Sequence, residues 1–356
     1  MKKKVIAVFL FFSLFVSNYA TPDSMLENAR DAVILIATES PSGSGFGSGF
    51  LVSDDGYIVT NYHIVHRQTG IKIWFYDEED PKVYTAEIIG VDGVSDVALL
   101  KMNLKPDMLP LTYLEIESEN INIGDRVFVI GHLLGLDWTV TSGIISHSNR
   151  VSQASSLVRL IQIDAAINRG NSGGPIINED GKVVGIITTT RFDEGGRTVG
   201  VGNGVRGDHL NKIILDLMDD GLISRPAMQT KFRHLTPWTI VTIREKNPGA
   251  VIPDVFGLIA IEIKEDSYPY EQGLRNFDIL ISVNGNTTTN IYELGDILNS
   301  SNIGDILDLT IIREGVTMNF PYVLKNLEFD YLKYFDERRK RLKEPESDVS
   351  PEVEPQ

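Results

Sequence analysis

From residue 32 the chain runs through short β-rich stretches broken by turn residues, and helical periodicity does not begin until residue 208. The stretches fall at 32–38, 50–53, 57–60, 71–76, 85–91 and 97–102, then at 126–131, 138–146, 157–164, 183–190 and 198–202. Valine, isoleucine, threonine and aromatic residues dominate them, the side chains that suit a pleated, half-buried surface. Asp54-Asp55-Gly56, between the second and third stretches, is a hairpin turn signal. Many short strands without intervening helices predict a mainly β domain, a pair of barrels or a sandwich, and argue against a parallel α/β sheet. Over 208–220 the period changes: Leu210, Ile213, Ile214 and Leu217 share one helical face, with Asp208 as N-cap and Gly221 as the stop. A helix there closes a first domain, 25–222.

Ser224-Arg225-Pro226 is a linker, and a smaller unit follows at 227–325. It carries strand patterns at 258–263 and 277–283, the second running into the Asn284-Gly285 turn. A helix pattern at 291–300 precedes strands at 305–313 and 316–323 joined by Glu314-Gly315. Few strands and one or two helices predict an α+β module. The tail, 326–356, is charged and ends in proline and acidic residues with almost nothing apolar, a composition that predicts disorder.

Composition narrows the function classes. The net charge of −16 argues against nucleic acid and anionic lipid as main partners. With no cysteine, disulfides, thiolate catalysis and Cys-ligated zinc are excluded. Lys2, Lys3 and Lys4 stand before an apolar run at 5–16, then Ser17-Asn18-Tyr19-Ala20, the pattern of a secretory signal. The run is shorter than the roughly 20 residues of a bilayer span. Export is expected, with cleavage after Ala20 preferred over a retained N-terminal anchor, so residues 1–20 stand apart from the fold.

The chemistry centres on Asn168-Arg169-Gly170-Asn171-Ser172-Gly173-Gly174-Pro175. Glycine tolerates positive φ and close backbone approach, so Gly170, Gly173 and Gly174 suit a tight turn with Ser172 at its apex and amides aimed one way. A serine nucleophile and its oxyanion hole need such a turn, although a polar inter-strand loop satisfies the same glycines. The base must come from His63, His66, His132, His147, His209 and His234. His63 follows the strand at 57–60, where a strand end opens into a loop. His66 raises a metal-pair alternative, without the glutamate of an HExxH motif or a carboxylate cluster to support it. For the orienting acid, Asp96 opens the apolar run at 97–100 and Asp164 lies in Gln162-Ile163-Asp164-Ala165. Residue chemistry alone does not choose between them.

His63, Asp96 and Ser172 occur in the His, Asp, Ser order of chymotrypsin-like enzymes. Gly47-Ser48-Gly49-Phe50-Leu51, Thr60-Asn61-Tyr62-His63, Ser95-Asp96-Val97-Ala98-Leu99, Thr139-Val140-Thr141-Ser142-Gly143 and Gln162-Ile163-Asp164-Ala165-Ala166-Ile167-Asn168 accompany them. In this set, closed by Gly170 to Pro175, the chain resembles the HtrA (Deg) family of serine proteases. The second unit resembles a PDZ domain in Gly257-Leu258-Ile259-Ala260, Gly273-Leu274 and Asp278-Ile279-Leu280-Ile281-Ser282-Val283-Asn284-Gly285. The resemblance implies a chymotrypsin-like double β-barrel followed by a small α+β PDZ domain.

It also implies roles: Ser172 as nucleophile, His63 as base, Asp96 as its orienting acid, Asp164 as structural. The oxyanion hole falls on the backbone of Gly170-Asn171-Ser172, through the N–H groups of Gly170 and Ser172. Thr188, Thr189, Thr190, Arg191 and Phe192 would line the substrate cleft, and Ala227, Met228, Gln229 and Thr230 would be the PDZ loop that receives a peptide carboxylate. The function implied is an ATP-independent serine endopeptidase, with no cofactor or metal, that cleaves unfolded or damaged proteins in the bacterial periplasm. The implied assembly is a homotrimer or higher oligomer, with membrane contact only through a retained N-terminal segment. A regulatory protease acting on a membrane signalling protein and a holdase with weak proteolysis are the alternatives. Four departures from the family pattern bear on these implications: Arg169 before Gly170, His132-Leu133, Asn203-Gly204-Val205-Arg206, and Gln229 where glycine is expected.

Overall fold

The computed structural model describes residues 22–327, apart from short gaps at 41–42, 67, 77–81, 106–107, 134–135, 153–156, 169, 193–197, 220, 222 and 224. Residues 1–21, which include the expected export signal, and the tail beyond 327 lie outside the described residues. The first barrel closes in the order β1-β2-β3-β6-β5-β4. Its strands are β1 (Val33–Ser40), β2 (Gly43–Leu51), β3 (Tyr57–Thr60), β4 (Gly70–Phe75), β5 (Tyr84–Asp92) and β6 (Val97–Met102). Ile34, Ile36, Phe50, Ile58 and Leu99 fill its interior and are fully buried.

β2 begins well before the run at 50–53 that the pattern marks, because its Gly43-Ser44-Gly45-Phe46-Gly47-Ser48-Gly49 segment lacks strand-forming side chains. The packing explains the composition. A Cβ at Gly49 would lie 2.8 Å from Ile36 Cδ1 and 3.0 Å from the Val59 carbonyl, so the strand has no room for a side chain at this position.

The second barrel closes as β10-β11-β12-β9-β8-β7. It contains β7 (Arg126–Leu133), β8 (Leu136–Val151), β9 (Arg159–Ile163), β10 (Pro175–Ile177), β11 (Val183–Phe192) and β12 (Thr198–Arg206). β10 follows the Ser172 turn directly and is too short to show as a pattern. Val127, Val129, Ile145, Ile161, Ile163 and Ile187 form this barrel's core. Two helices flank the barrels: α1 (Pro22–Asp31), which seats Met25 and Ala29 in the core, and α3 (Gly207–Asp219). On α3 the four apolar residues of the predicted stripe are buried. A single helical turn, α2 (Tyr62–Val65), follows β3.

The second unit is an antiparallel sheet in the order β14-β15-β16-β18-β19, with β17 attached to β16. Its strands are β13 (Pro226–Ala227), β14 (Lys231–His234), β15 (Leu258–Ile261), β16 (Ile279–Val283), β17 (Asn286–Thr287), β18 (Ile306–Arg313), β19 (Val316–Val323) and β20 (Lys325–Asn326). β20 pairs with β13, which carries this unit beyond residue 325. Three helices complete it: α4 (Pro237–Lys246), α5 (Tyr268–Glu271) and α6 (Ile291–Asn299). α4 buries only Ile240, so it has almost no apolar stripe to read; its Thr236 cap, accepting from the Thr239 N–H, marks where it starts. α6 starts at a reciprocal capping box between Asn290 and Glu293. The Thr289 and Asn290 amides that Glu293 accepts hold its carboxyl below the usual range.

The two units meet through a small set of side chains. Leu157, which the pattern assigns to a barrel strand, instead joins the core of the second unit with Met228, Leu294 and Leu298. Arg159 reaches the Tyr292 carbonyl at 2.9 Å and pairs with Asp296 on α6. Between the units, His209 Nε2 lies 3.4 Å from Arg225 Nη1. Desolvation, then the Arg225 cation, pushes the His209 pKa down to about 3.

This shift has a stability consequence. Between the unfolded value, about 6.5, and the folded one, the unfolded chain binds a proton that the folded chain refuses. Stability is therefore full above the unfolded pKa and falls as pH drops below it. The expected loss is about 1 kcal/mol between about pH 7 and about pH 5.5. Urea unfolding of His209→Gln should show that much less pH dependence than the wild type; equal slopes would rule this origin out.

Candidate active site

His63, Asp96 and Ser172 converge at the seam between the barrels. β3 delivers Thr60 and Asn61, after which α2 turns His63 back toward β6. Asp96 ends the tight turn between β5 and β6 at φ 59°, a left-handed conformation that non-glycine residues rarely adopt. Three bonds fix it there. Asn61 Nδ2 and the Tyr62 N–H donate to the Asp96 carbonyl at 2.9 and 3.2 Å, and the His63 N–H donates to Oδ1 at 2.9 Å. The remaining oxygen, Oδ2, stands 2.7 Å from His63 Nδ1. A carboxylate can only accept, so Nδ1 carries the proton and Nε2 is left as the basic nitrogen.

The Ser172 turn is built from backbone. The Asn171 N–H donates to the Asn168 carbonyl at 3.3 Å, and the Gly174 N–H to the Asn171 carbonyl at 2.9 Å. Gly170 and Gly173 take φ values of 105° and 83°, which answers why glycine stands at both. Asn171 points inward and is buried, whereas Ser172 keeps part of its surface.

Ser48 on β2 clamps this turn from the opposite barrel. Its hydroxyl donates to the Gly170 carbonyl at 2.7 Å and accepts the His132 N–H at 3.0 Å. Its own N–H donates to the Ser172 carbonyl at 2.9 Å. Neighbouring Gly47 sits between the two halves of the site: a Cβ there would be 2.2 Å from Ile64 Cδ1 and 3.3 Å from the Ser172 carbonyl. Ser48 was legible only as part of a glycine-rich stretch; nothing local marks it as a clamp.

An accessible hydroxyl on a rigid turn, an imidazole oriented by a buried carboxylate and unopposed turn amides can together run acyl transfer. Comparison with known proteins gives this geometry a family. Residues 47–186 match the trypsin-like peptidase domain. A putative serine protease, HhoA, of Synechocystis is 30% identical over 275 residues, which are 76% of this chain and 68% of that protein. The chain belongs to the HtrA family of serine proteases. A probable periplasmic serine endoprotease, DegP-like, of Rickettsia prowazekii is 32% identical over 80% of this chain and 53% of its own length. The chain thus spans about half the length of the DegP-like relatives it matches, 54% for that of Chlamydia trachomatis. In fold it is similar to an HtrA-type protease, AlgW, with a tripeptide: TM-score 0.71 at 24% identity, covering 87% of this chain and 98% of the other.

Within this HtrA chain the rival acid, Asp164, is elsewhere engaged: its Oδ1 accepts the Ile144 N–H at 2.7 Å on an exposed part of β8. His66 packs edge-on against Tyr62 at 4.8 Å. Thr188 is buried, and β11 runs on to Phe192. From Thr188 onward β11 pairs only with β12 among the described residues, which leaves its other edge open beside the Ser172 turn. The side chains of Thr189, Thr190, Arg191 and Phe192 lie outside the described residues, as does Arg169. His132 is buried, its ring edge-on to Trp138 at 4.3 Å. Asn203 to Arg206 form the inner end of β12, where Arg206 binds Asp208 at 2.9 Å and the Ser148 carbonyl at 2.8 Å.

In the second unit Ala227 and Met228 are buried, and Tyr322 donates its hydroxyl to the Met228 carbonyl. Gln229 takes φ 49°, so this position does demand the glycine-like conformation that its sequence conceals. Its side chain donates to the Asn326 carbonyl at 2.9 Å, and Thr230 immediately precedes the edge strand β14.

Proposed function

We propose that this chain is an exported serine endopeptidase that cleaves unfolded or damaged proteins. The single observation that carries the reading is the His63–Asp96 pair, bonded at two points, at the seam that also holds the Ser172 turn. Ser172 Oγ attacks the peptide carbonyl while His63 Nε2 takes its proton, and Asp96 steadies the imidazolium that forms. The Gly170 and Ser172 N–H groups receive the charge on the carbonyl oxygen; Asn171 braces the turn from inside, its own N–H being held by Asn168. Substrate adds as a strand along the open edge of β11 from Thr188 to Phe192. Catalysis needs no cofactor.

The second unit acts as a PDZ domain, taking a peptide end at Ala227-Met228-Gln229-Thr230 and along β14 by strand addition. The HtrA relationship favours a trimeric assembly, and the names of the DegP-like relatives favour the periplasm. The proposed boundaries are 1–20 for the export signal, 25–222 for the protease domain and 227–325 for the PDZ domain, the last extended to 326 by β20 and its pairing with β13. Casein digestion tests the reading. The wild type should degrade casein and Ser172→Ala should not; equal digestion by both would overturn the assignment.

A further inference from the structure

The turn that carries Asp96 is held from outside the barrel. Asp92, which opens the turn, and Ser95, immediately before Asp96, are both buried, and both are bound by one guanidinium. Arg225 Nη2 pairs with Asp92 Oδ2 and donates to Ser95 Oγ at 2.9 Å. The other Asp92 oxygen accepts the Val94 N–H at 3.1 Å, so Asp92 links the turn's own backbone to the guanidinium. Arg225 is 6% exposed and belongs to the segment that joins the two units. That segment is tied to the second unit: the Arg225 N–H donates to Asn326 Oδ1 at 3.0 Å, and the Leu327 N–H donates to the Arg225 carbonyl at 2.7 Å.

We propose that Arg225 is a positioning residue for Asp96, transmitting the seat of the second unit to the carboxylate that orients His63. A non-glycine residue at φ 59° costs on the order of 1–3 kcal/mol and persists only where its surroundings over-determine it. Asn61 and Tyr62 hold the Asp96 carbonyl from the α2 side, and the guanidinium holds the other end of the turn. A guanidinium suits this task because the two hydrogens of Nη2 lie in one plane and engage Asp92 and Ser95 together, and because the group keeps its charge when buried. His209, facing Arg225 Nη1, stays neutral and so offers no competing charge. If the segment at 225 shifts with the second unit, the turn loses its brace, and the Asp96 carboxylate moves relative to His63 Nδ1.

The proposal rests on the His63–Asp96–Ser172 reading, and the test uses the full chain. Arg225→Met should lower kcat by about 10- to 100-fold with KM changed by less than about threefold. It should also move the acid limb of the kcat/KM profile about half a unit to lower pH, because a displaced carboxylate stabilises imidazolium less. A role confined to folding would lower the active fraction and leave that limb in place. Removing one partner of a buried pair can unfold a domain, so Ser95→Ala supplies the milder arm: about three- to tenfold in kcat, with a smaller shift of the same sign. Arg225→Lys, which keeps charge without the fork, should fall between wild type and Arg225→Met. A folded Arg225→Met or Ser95→Ala enzyme with wild-type kcat and an unmoved acid limb would overturn the proposal. If Ser172→Ala still digests casein, the underlying triad is wrong and this inference fails with it.

Discussion

Asp96→Asn should lower kcat by about 10⁴-fold while the fold and KM survive. The geometry dictates this size. Asp96 Oδ1 accepts the His63 N–H at 2.9 Å and Oδ2 faces Nδ1 at 2.7 Å. An amide that keeps its oxygen on the main-chain bond must present its NH2 group to Nδ1. The imidazole then has to accept there and carry its proton on Nε2, the nitrogen that must be bare to take the proton of Ser172. Substrate binding along β11 is untouched, so the loss belongs to the chemical step. Steady-state kinetics on a chromogenic peptide checks it, and a loss under about tenfold would show that Asp96 is not the orienting acid.

Gly173→Ala is expected to destabilise the chain by about 3–5 kcal/mol and to abolish measurable cleavage. A methyl there would lie 2.1 Å from the Ser48 carbonyl, 2.6 Å from Thr60 Oγ1 and 3.2 Å from the Asn61 amide. None of these neighbours can swing aside. The Ser48 carbonyl is itself bonded by Thr60 Oγ1 at 2.7 Å, and Asn61 is locked to Asp96. Any relief therefore moves the clamp on one side of Ser172 or the strand end that delivers His63. Gly124→Ala separates strain from crowding, because Gly124 also has a positive φ, 93°, yet nothing lies within 4 Å of its Cβ position. That control should cost only about 1 kcal/mol. Urea midpoints of the two variants make the comparison; similar midpoints would mean that the turn is not packed as described.

What the chain discloses before folding follows the kind of physics involved. Alternating apolar runs located most barrel strands, and the stripe on α3 needed only its period. Motif residues singled out His63, Asp96 and Ser172, because the proposed chemistry restricts each position to one side-chain type. The choice of Asp96 over Asp164 was not legible locally: both carboxylates introduce or close apolar strands, and only the topology shows which one faces α2. Glycine-rich β2 hid as a strand, since close packing between β1 and β3 demands missing side chains where pattern reading looks for bulky ones. α4 hid for the opposite reason, having almost no buried face. Contacts across the two units left no trace at all: Leu157 reads as one more barrel residue, and Arg225 as a polar linker residue, until the second unit is seated against them.

The central claim is that Ser172 is a nucleophile activated by His63. Intact-mass measurement after treatment with a fluorophosphonate, which reacts with activated serine hydroxyls, tests it most directly. The wild type should gain one adduct that maps to Ser172, Ser172→Ala should gain none, and His63→Ala should label slower by about 10²-fold or more. Equal labelling of wild type and Ser172→Ala, or an adduct mapped elsewhere, would contradict the account.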